Sequence, residues 1–218
     1  VPELTVNEAT CREARLELQY FPCLDYFACI LSYDHIYLDV EERYVKQTFR
    51  NRCKVLTANK VDTLTVPVKI DNNGLTRDVK IDHSQDWTRR HIGCFQSAYG
   101  KSPFYEYYAP ELITVFEKKH DFLIDLNYDL LTICLRLVGI KNRVTYNLSG
   151  TENAQNNVID EISQINNKKS GDIFKYYTPE PYYQTFGNDF VSNLSIVDLI
   201  FNMGPEARSV LLRSCKRQ

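Results

Sequence analysis

No apolar run in the 218-residue sequence approaches the ~20 residues that a membrane-crossing helix needs. Charge of one sign is missing as well. Lys and Arg number 26 against 28 Asp and Glu, a net charge of −2, so no chain-wide field exists to hold nucleic acid. Any anion site has to be a local cluster. The phosphate-cradling patterns G-x-G-x-x-G and G-x-x-x-x-G-K-[ST] are both absent, as is the G-x-S-x-G elbow of a serine hydrolase. The seven cysteines, Cys11, Cys23, Cys29, Cys53, Cys94, Cys134 and Cys215, never stand three or four apart, which argues against a zinc knuckle or a redox pair. They read as reduced thiols of a cytoplasmic protein. His35, His83, His91 and His120 lack ligand spacing, so no metal site is expected, and nothing in the sequence names a cofactor. Tryptophan is reduced to Trp87, against 15 Tyr and 11 Phe. So many tyrosines suit either a ligand wall with an apolar face and a polar tip or a half-wet core.

The sequence shows neither an internal repeat nor a linker, and its length fits one domain. Residues 1–15 read as a polar segment with Glu3, Glu8, Arg12 and Glu13 and no secretory signal. Residues 16–205 read as the domain, and 206–218 as a basic, frayed tail. Short strands are expected at Leu16–Tyr20, His35–Val40, Leu64–Val68 (interrupted by Pro67), Val79–Ile81 and Arg143–Leu148. A helix is expected to start within Tyr26–Leu31. Trp87, His91, Phe95 and Tyr99, four apart and followed by Gly100, predict a helix over Asp86–Tyr99. The longest helical pattern runs from Leu112 to Gly139, with Asp121 a candidate cap inside it. Asn153–Lys169 reads as a modest amphipathic helix. Ile196–Met203 reads as a last apolar helix, capped by Ser192 or Asn193 and ended by Gly204-Pro205. Strands alternating with helices predict an α/β domain with a largely parallel sheet of Rossmann-like order and long flanking helices.

Three stretches carry candidate chemistry. Arg43–Lys54 gathers Lys46, Arg50, Arg52 and Lys54, with Asn51 between the arginines. Arginine forks match phosphate or carboxylate, so the stretch reads as an anion cradle; the alternative is a solvated sheet edge. In Asp86–Gly100, His91 follows Trp87 by one helical turn. It reads as a general acid/base or as a hydrogen-bonded, half-buried histidine. Lys101–Tyr108 carries Tyr105, Tyr107 and Tyr108, a ligand rim or packing between helices.

The stretches Q-Y-F-P-C-L-D-Y-F, K-Q-T-F-R-N-R-C, L-T-V-P-V, H-I-G-C-F-Q-S-A-Y-G-K-S-P-F-Y-E-Y-Y and N-L-S-I-V-D-L-I-F-N-M-G follow one another from Gln19 to Gly204. In this order they resemble the WbqC-like protein family. One departure is that Gln19 runs directly into Tyr20-Phe21-Pro22, where the family often opens Q-P-x-x-F-P. The resemblance implies a bacterial protein of O-antigen, lipopolysaccharide or other surface-polysaccharide biosynthesis. It implies a transferase that moves an acyl or aminoacyl (glycyl) group onto a nucleotide-linked amino sugar. On that reading Lys46, Arg50 and Arg52 bind diphosphate or carboxylate, with Asn51, Trp87 and Ser97 beside them. Tyr20 and Tyr99 stack on a ring, and His91 takes the amine's proton. The partner is a phosphate- or carboxylate-bearing small molecule. A non-catalytic binding module for an anionic glycan precursor or a partner protein is the other class of reading.

Overall fold

A computed structural model describes residues 11–70, 74–141, 143–147, 158–166, 173–187 and 189–216. Its centre is a four-stranded parallel sheet of β1 (Glu13–Glu17), β2 (His35–Asp39), β7 (Val144–Asn147) and β8 (Ile159–Asp160), in the spatial order β7-β2-β1-β8. Two antiparallel ribbons stand outside it: β3 (Arg52–Leu56) with β4 (Val61–Thr65), and β5 (Val68–Lys69) with β6 (Lys80–Ile81). Six α-helices among the described residues complete the α/β fold: α1 (Leu24–Ser32), α2 (Trp87–Tyr99), α3 (Tyr105–Glu117), α4 (Leu123–Leu137), α5 (Ile196–Met203) and α6 (Ala207–Ser214).

Alternation along the strands decides which way the sheet faces. Ala14 and Leu16 of β1 and Ile36 and Leu38 of β2 are wholly buried and join the common core with the helices. Each such leucine or isoleucine contributes about 1.5–3 kcal/mol from apolar burial. Their neighbours Glu13, Arg15, His35, Tyr37 and Asp39 point to the other face, which is polar and half exposed. There Arg15 bridges Asp39 at 3.1 Å and Asp160 at 3.0 Å, tying three strands together. Parallel sheets are normally apolar on both faces, so this polar face is unusual. Helix α5 is the opposite case. Ile196 through Asn202 are all buried, as expected of a helix whose apolar side chains encircle it.

Several expectations shift. The first strand covers Glu13–Glu17, three residues earlier than expected, so it begins inside the segment read as polar. The Leu112–Gly139 pattern breaks into α3 and α4 between Glu117 and Leu123. Part of the helix expected over Asn153–Lys169 is strand β8, in register with Ala14 and Arg15; residues 153–157 and 167–169 lie outside the described ones. The residues expected to fray as a tail instead form α6, which buries Ala207, Val210 and Leu211 and packs on α1. Asn193, expected to cap the last helix, turns the other way at φ 52°. Its Oδ1 accepts the Asp25 N–H at 2.9 Å, in the first turn of α1. Helix α5 starts instead at Ser195, whose hydroxyl donates to the Phe21 carbonyl at 2.9 Å.

Candidate functional site

The order of the sheet marks one place. The chain passes from β1 to β2 and on to β7 in one direction, then returns to lay β8 on the far side of β1. Ligands of open α/β sheets bind outside the carboxyl ends of the strands where the order reverses, here beyond β1 and β8. Three segments meet there: the turn after β1, the loop between β2 and β3, and residues 161–166 after β8.

The turn after β1 is fixed from several sides. The Tyr20 N–H donates to the Phe49 carbonyl at 2.8 Å, Leu24 N–H to the Leu194 carbonyl at 3.1 Å, and Ile196 N–H to the Pro22 carbonyl at 2.9 Å. Phe21 sits at φ 41° directly before Pro22, a left-handed conformation that a bulky residue seldom takes. Tyr20 is buried, and its hydroxyl meets His91 Nδ1 at 2.7 Å. His91 itself is 0% exposed, with Trp87 edge-on at 5.2 Å. Its Nε2 faces the Thr65 backbone without a well-formed hydrogen bond. Burial, with the charge of Arg90 adding to it, lowers its pKa from 6.5 to about 4, so the ring is neutral at pH 7. Tyr20, Trp87 and His91 therefore form a buried aromatic cluster. The proton acceptor read from the sequence has its Nδ1 engaged and no path to solvent.

The loop between β2 and β3 carries the expected cradle and divides it. Arg50 is 2% exposed and bound side-on, as a two-pronged fork: Nε to Glu42 Oε1 at 2.7 Å and Nη2 to Glu42 Oε2 at 2.8 Å. Nη2 also donates to Ser163 Oγ at 2.9 Å. Glu42 Oε1 takes a further bond from the Thr76 hydroxyl at 2.6 Å. Behind this pair lies Glu17, the last residue of β1, accepting from Gln19 Nε2 at 2.9 Å and from the Ser163 N–H at 2.8 Å. Burial raises its pKa while the charge of Arg50 opposes the rise. Asn51 is buried and donates to the Val66 carbonyl at 2.9 Å; Asn127 of α4 donates to the Arg50 carbonyl at 2.7 Å. Arg50 and Asn51 thus anchor the loop, and the charge of Arg50 is balanced within the protein.

Three further groups of the loop stand apart from the Arg50–Glu42 pair. Lys46 is exposed. Arg52, at the start of β3, is half-buried, and its Nε has no hydrogen-bond partner among the described residues. The same is true of the Tyr44 hydroxyl, which burial pushes up to about 12 against the pull of Arg50 and Arg52. The Gln19 carbonyl Oε1, at the other end of the network, is also buried and has no partner among the described residues. Buried polar groups are nearly always paired, so each of these atoms calls for a partner beyond the described residues. Gln47 at φ 60° and Ser163 at φ 61° border the same crevice as Phe21. Backbone outliers of this kind gather at ligand sites.

The other expected residues lie elsewhere. Ser97 is exposed on α2, while Tyr99 is buried twelve residues beyond Trp87, roughly 18 Å along the helix. The Tyr99 hydroxyl accepts the Leu56 N–H at 3.2 Å and lies beside Asp198. Asp198 is buried, receives the Tyr182 hydroxyl at 2.6 Å and Gln184 Nε2 at 3.0 Å, and burial raises its pKa to about 6. Of the candidate rim, Tyr105 packs into the core against Phe201 at 5.0 Å and Tyr107 is exposed. Reasoning from sequence missed Glu17, Gln19, Glu42, Tyr44 and Ser163. The one available signal was Glu17, a carboxylate alternating with leucines in an expected strand.

Among the described residues no group of three or more His, Cys, Asp or Glu is placed to hold a metal ion, and no helix is long and apolar enough to cross a membrane. No solved structure matches the chain. The sequence is 25% identical over 230 residues to the uncharacterized protein Rv1507c of Mycobacterium tuberculosis (strain ATCC 25618 / H37Rv), covering 94% of this chain and 98% of that one. It matches the sequence model of the WbqC-like protein family over residues 19–174 and 166–210, a span that takes in the whole crevice, so the chain belongs to that family.

Proposed function

We propose that this chain is a transferase of O-antigen or related surface-polysaccharide biosynthesis that works at the crevice beyond β1 and β8. It moves an acyl or aminoacyl (glycyl) group onto a nucleotide-linked amino sugar. The amine nitrogen attacks the acyl carbon, an N–C bond forms, the bond to the donor's leaving group breaks, and a proton is released. Clamping the phosphates with fixed cations is what holds such an acceptor in line for attack. The observation that carries this reading is the division of labour in R-N-R. Arg50 is locked by Glu42 and Ser163, while Arg52 and Tyr44 keep unpaired polar groups on the loop that Arg50 anchors. Arg52, Tyr44 and Lys46 are the ligand-facing set. Arg50 and Asn51 position them, and His91 holds Tyr20 and hence the turn that forms the crevice floor.

A second reading has its own support. Complete burial of His91 leaves the crevice without the expected base, which fits a non-catalytic module that holds an anionic glycan precursor.

Thermal shifts with UDP, a UDP-linked amino sugar, inorganic pyrophosphate, coenzyme A and free amino acids test both readings. At a concentration 100 times its dissociation constant, a ligand adds about 2.7 kcal/mol, a rise of roughly 5–10 °C for a chain of this size. We expect a diphosphate-bearing probe to give this shift and Arg52→Gln to remove most of it. No shift with any probe, or an equal shift in Arg52→Gln, refutes the anion crevice. Mass spectrometry of reactions containing the amino sugar and acyl or aminoacyl donors then separates the transferase from the binding module: only the transferase yields the N-acylated sugar.

A further inference from the structure

A second concavity opens at the start of α2. It has a volume of about 760 Å³, within the roughly 300–1,000 Å³ usual for small-molecule sites. Its floor is apolar: Ile81, Trp87, Ile92, Phe116 and Leu126. Trp87 is 4% exposed and packs edge-on to Phe116 at 5.8 Å, yet its indole Nε1–H has no acceptor among the described residues. A buried donor without a partner carries a penalty of about 1–3 kcal/mol.

The rim adds positive potential on one side. Helix α2 begins here without a side-chain cap, so the positive end of a 13-residue helix lies at the cavity that Asp86 to Arg89 line. Arg89 in the first turn and Lys119 across the opening are exposed lining residues, and no carboxylate pairs with either among the described residues. His83 is held in place by its contact to the His120 carbonyl at 2.9 Å, and His120 by Asp129 at 2.9 Å, so neither imidazole swings freely. Asp86 and Asp121 also line the cavity. Their charges oppose a bare anion, so the head group has to arrive with a body that the apolar floor can bury.

We infer that this cavity is a binding site for a small organic anion with a flat apolar body, such as an aromatic carboxylate or a nucleoside monophosphate. The flat body lies on the Trp87–Phe116 floor, and the anionic head meets Arg89, Lys119 and the start of α2. Trp87 is the single tryptophan of the chain, so intrinsic tryptophan fluorescence reports on this cavity directly. The test titrates the purified protein with benzoate, AMP, inorganic phosphate and benzyl alcohol, which supply the aromatic carboxylate, the heteroaromatic phosphate, the head alone and the body alone. A saturable change in Trp87 emission is expected with benzoate or AMP, whichever body fits, at least tenfold tighter than with phosphate or benzyl alcohol. Arg89→Gln, a change at an exposed position, should weaken it tenfold or more without altering the ligand-free spectrum. Arg52→Gln should leave it intact, which separates this site from the crevice. The inference is overturned if neither benzoate nor AMP gives saturation up to millimolar concentration, if Arg89→Gln binds like the parent, or if Arg52→Gln abolishes the signal.

Discussion

Glu42→Gln tests whether Arg50 is an anchor or a ligand group. The side chains of Arg50 and Glu42 are 2% and 7% exposed, so screening by water is small. Substitution by the near-isosteric amide leaves one acceptor for Arg50 Nε and keeps its bond to Ser163. It removes the charge that balances a buried guanidinium, however, and points an NH2 group at either Arg50 or Thr76. Removing one partner of a buried pair costs about 3–5 kcal/mol. Glu17 still lies within electrostatic reach of Arg50, which places the expectation near the lower end, about 3 kcal/mol. That is a large share of the ~5–15 kcal/mol by which a domain is stable, and corresponds to a fall in Tm of roughly 6–12 °C.

Urea denaturation followed by Trp87 emission and by circular dichroism measures the loss, since coincident curves certify a two-state transition. Arg52→Gln is the control, expected to change stability by less than about 1 kcal/mol because Arg52 makes no ion pair among the described residues. A loss below about 1 kcal/mol in Glu42→Gln would mean that the pair is not held as described. Arg50 would then return to the set of residues free to bind phosphate, and the division of labour on which the proposed function rests would fail.

Two further predictions concern pH and backbone. His91 is held down to about 4 and Asp198 pushed up to about 6, each displacement worth about 3 kcal/mol, but with opposite signs. The neutral His91 contributes stability that is full above pH 6.5 and lost as pH falls toward 4; the protonated Asp198 contributes stability that is full below pH 3.8 and lost as pH rises through 6. The two slopes nearly cancel between pH 4 and 6 in the parent. Relative to it, His91→Gln should lose stability with rising pH across that window and Asp198→Asn should gain it; urea midpoints that tilt the same way in both would contradict the assignment. Gly204 has φ 51° and an added Cβ would stand 2.5 Å from the Phe104 ring, whereas Gly93 on α2 has nothing within 4 Å. Gly204→Ala should therefore cost about 2–4 kcal/mol and Gly93→Ala should add up to about 1 kcal/mol, by the same denaturation assay.

Much of the fold is legible in the sequence because the signals are local. The four-residue spacing of Trp87, His91, Phe95 and Tyr99 sets α2, and Gly204-Pro205 ends α5 where it should. Failures came where a tertiary partner overrides local preference. Ile159 and Asp160 lie in a stretch with helical spacing, but the free edge of β1 takes them as a strand. Asn193 is a good cap in any reading, but the helix it serves lies some 170 residues earlier in the chain, and no periodicity points across that distance. The frayed tail was an inference from charge. Basic side chains on α6 are solvated while Ala207, Val210 and Leu211 hold the helix down.

The crevice shows where sequence reading reaches its physical limit. Arg50 and Arg52 are two apart and so share one face of an extended chain, with Asn51 opposite, yet the fold buries Arg50 inside and leaves Arg52 half-buried outside it. Composition counts them as equal members of one basic cluster. What distinguishes them is a counter-ion, and Glu42 reaches Arg50 only because the loop folds back on itself, with its far end stitched to Tyr20, Asn127 and Val66. Once Glu42 neutralises the inner arginine, that arginine can no longer serve as the phosphate fork. It makes the outer one rigid, which is how a site gains affinity without adding contacts. His91 follows the same logic. A histidine one turn into a helix beside an arginine looks poised for proton transfer, yet its ring nitrogen is bonded to Tyr20 and its charge is suppressed by burial. In both cases the residue type points to chemistry while the neighbours pair or bury it, which is why the proposed ligand-facing set is the less conspicuous Arg52 and Tyr44.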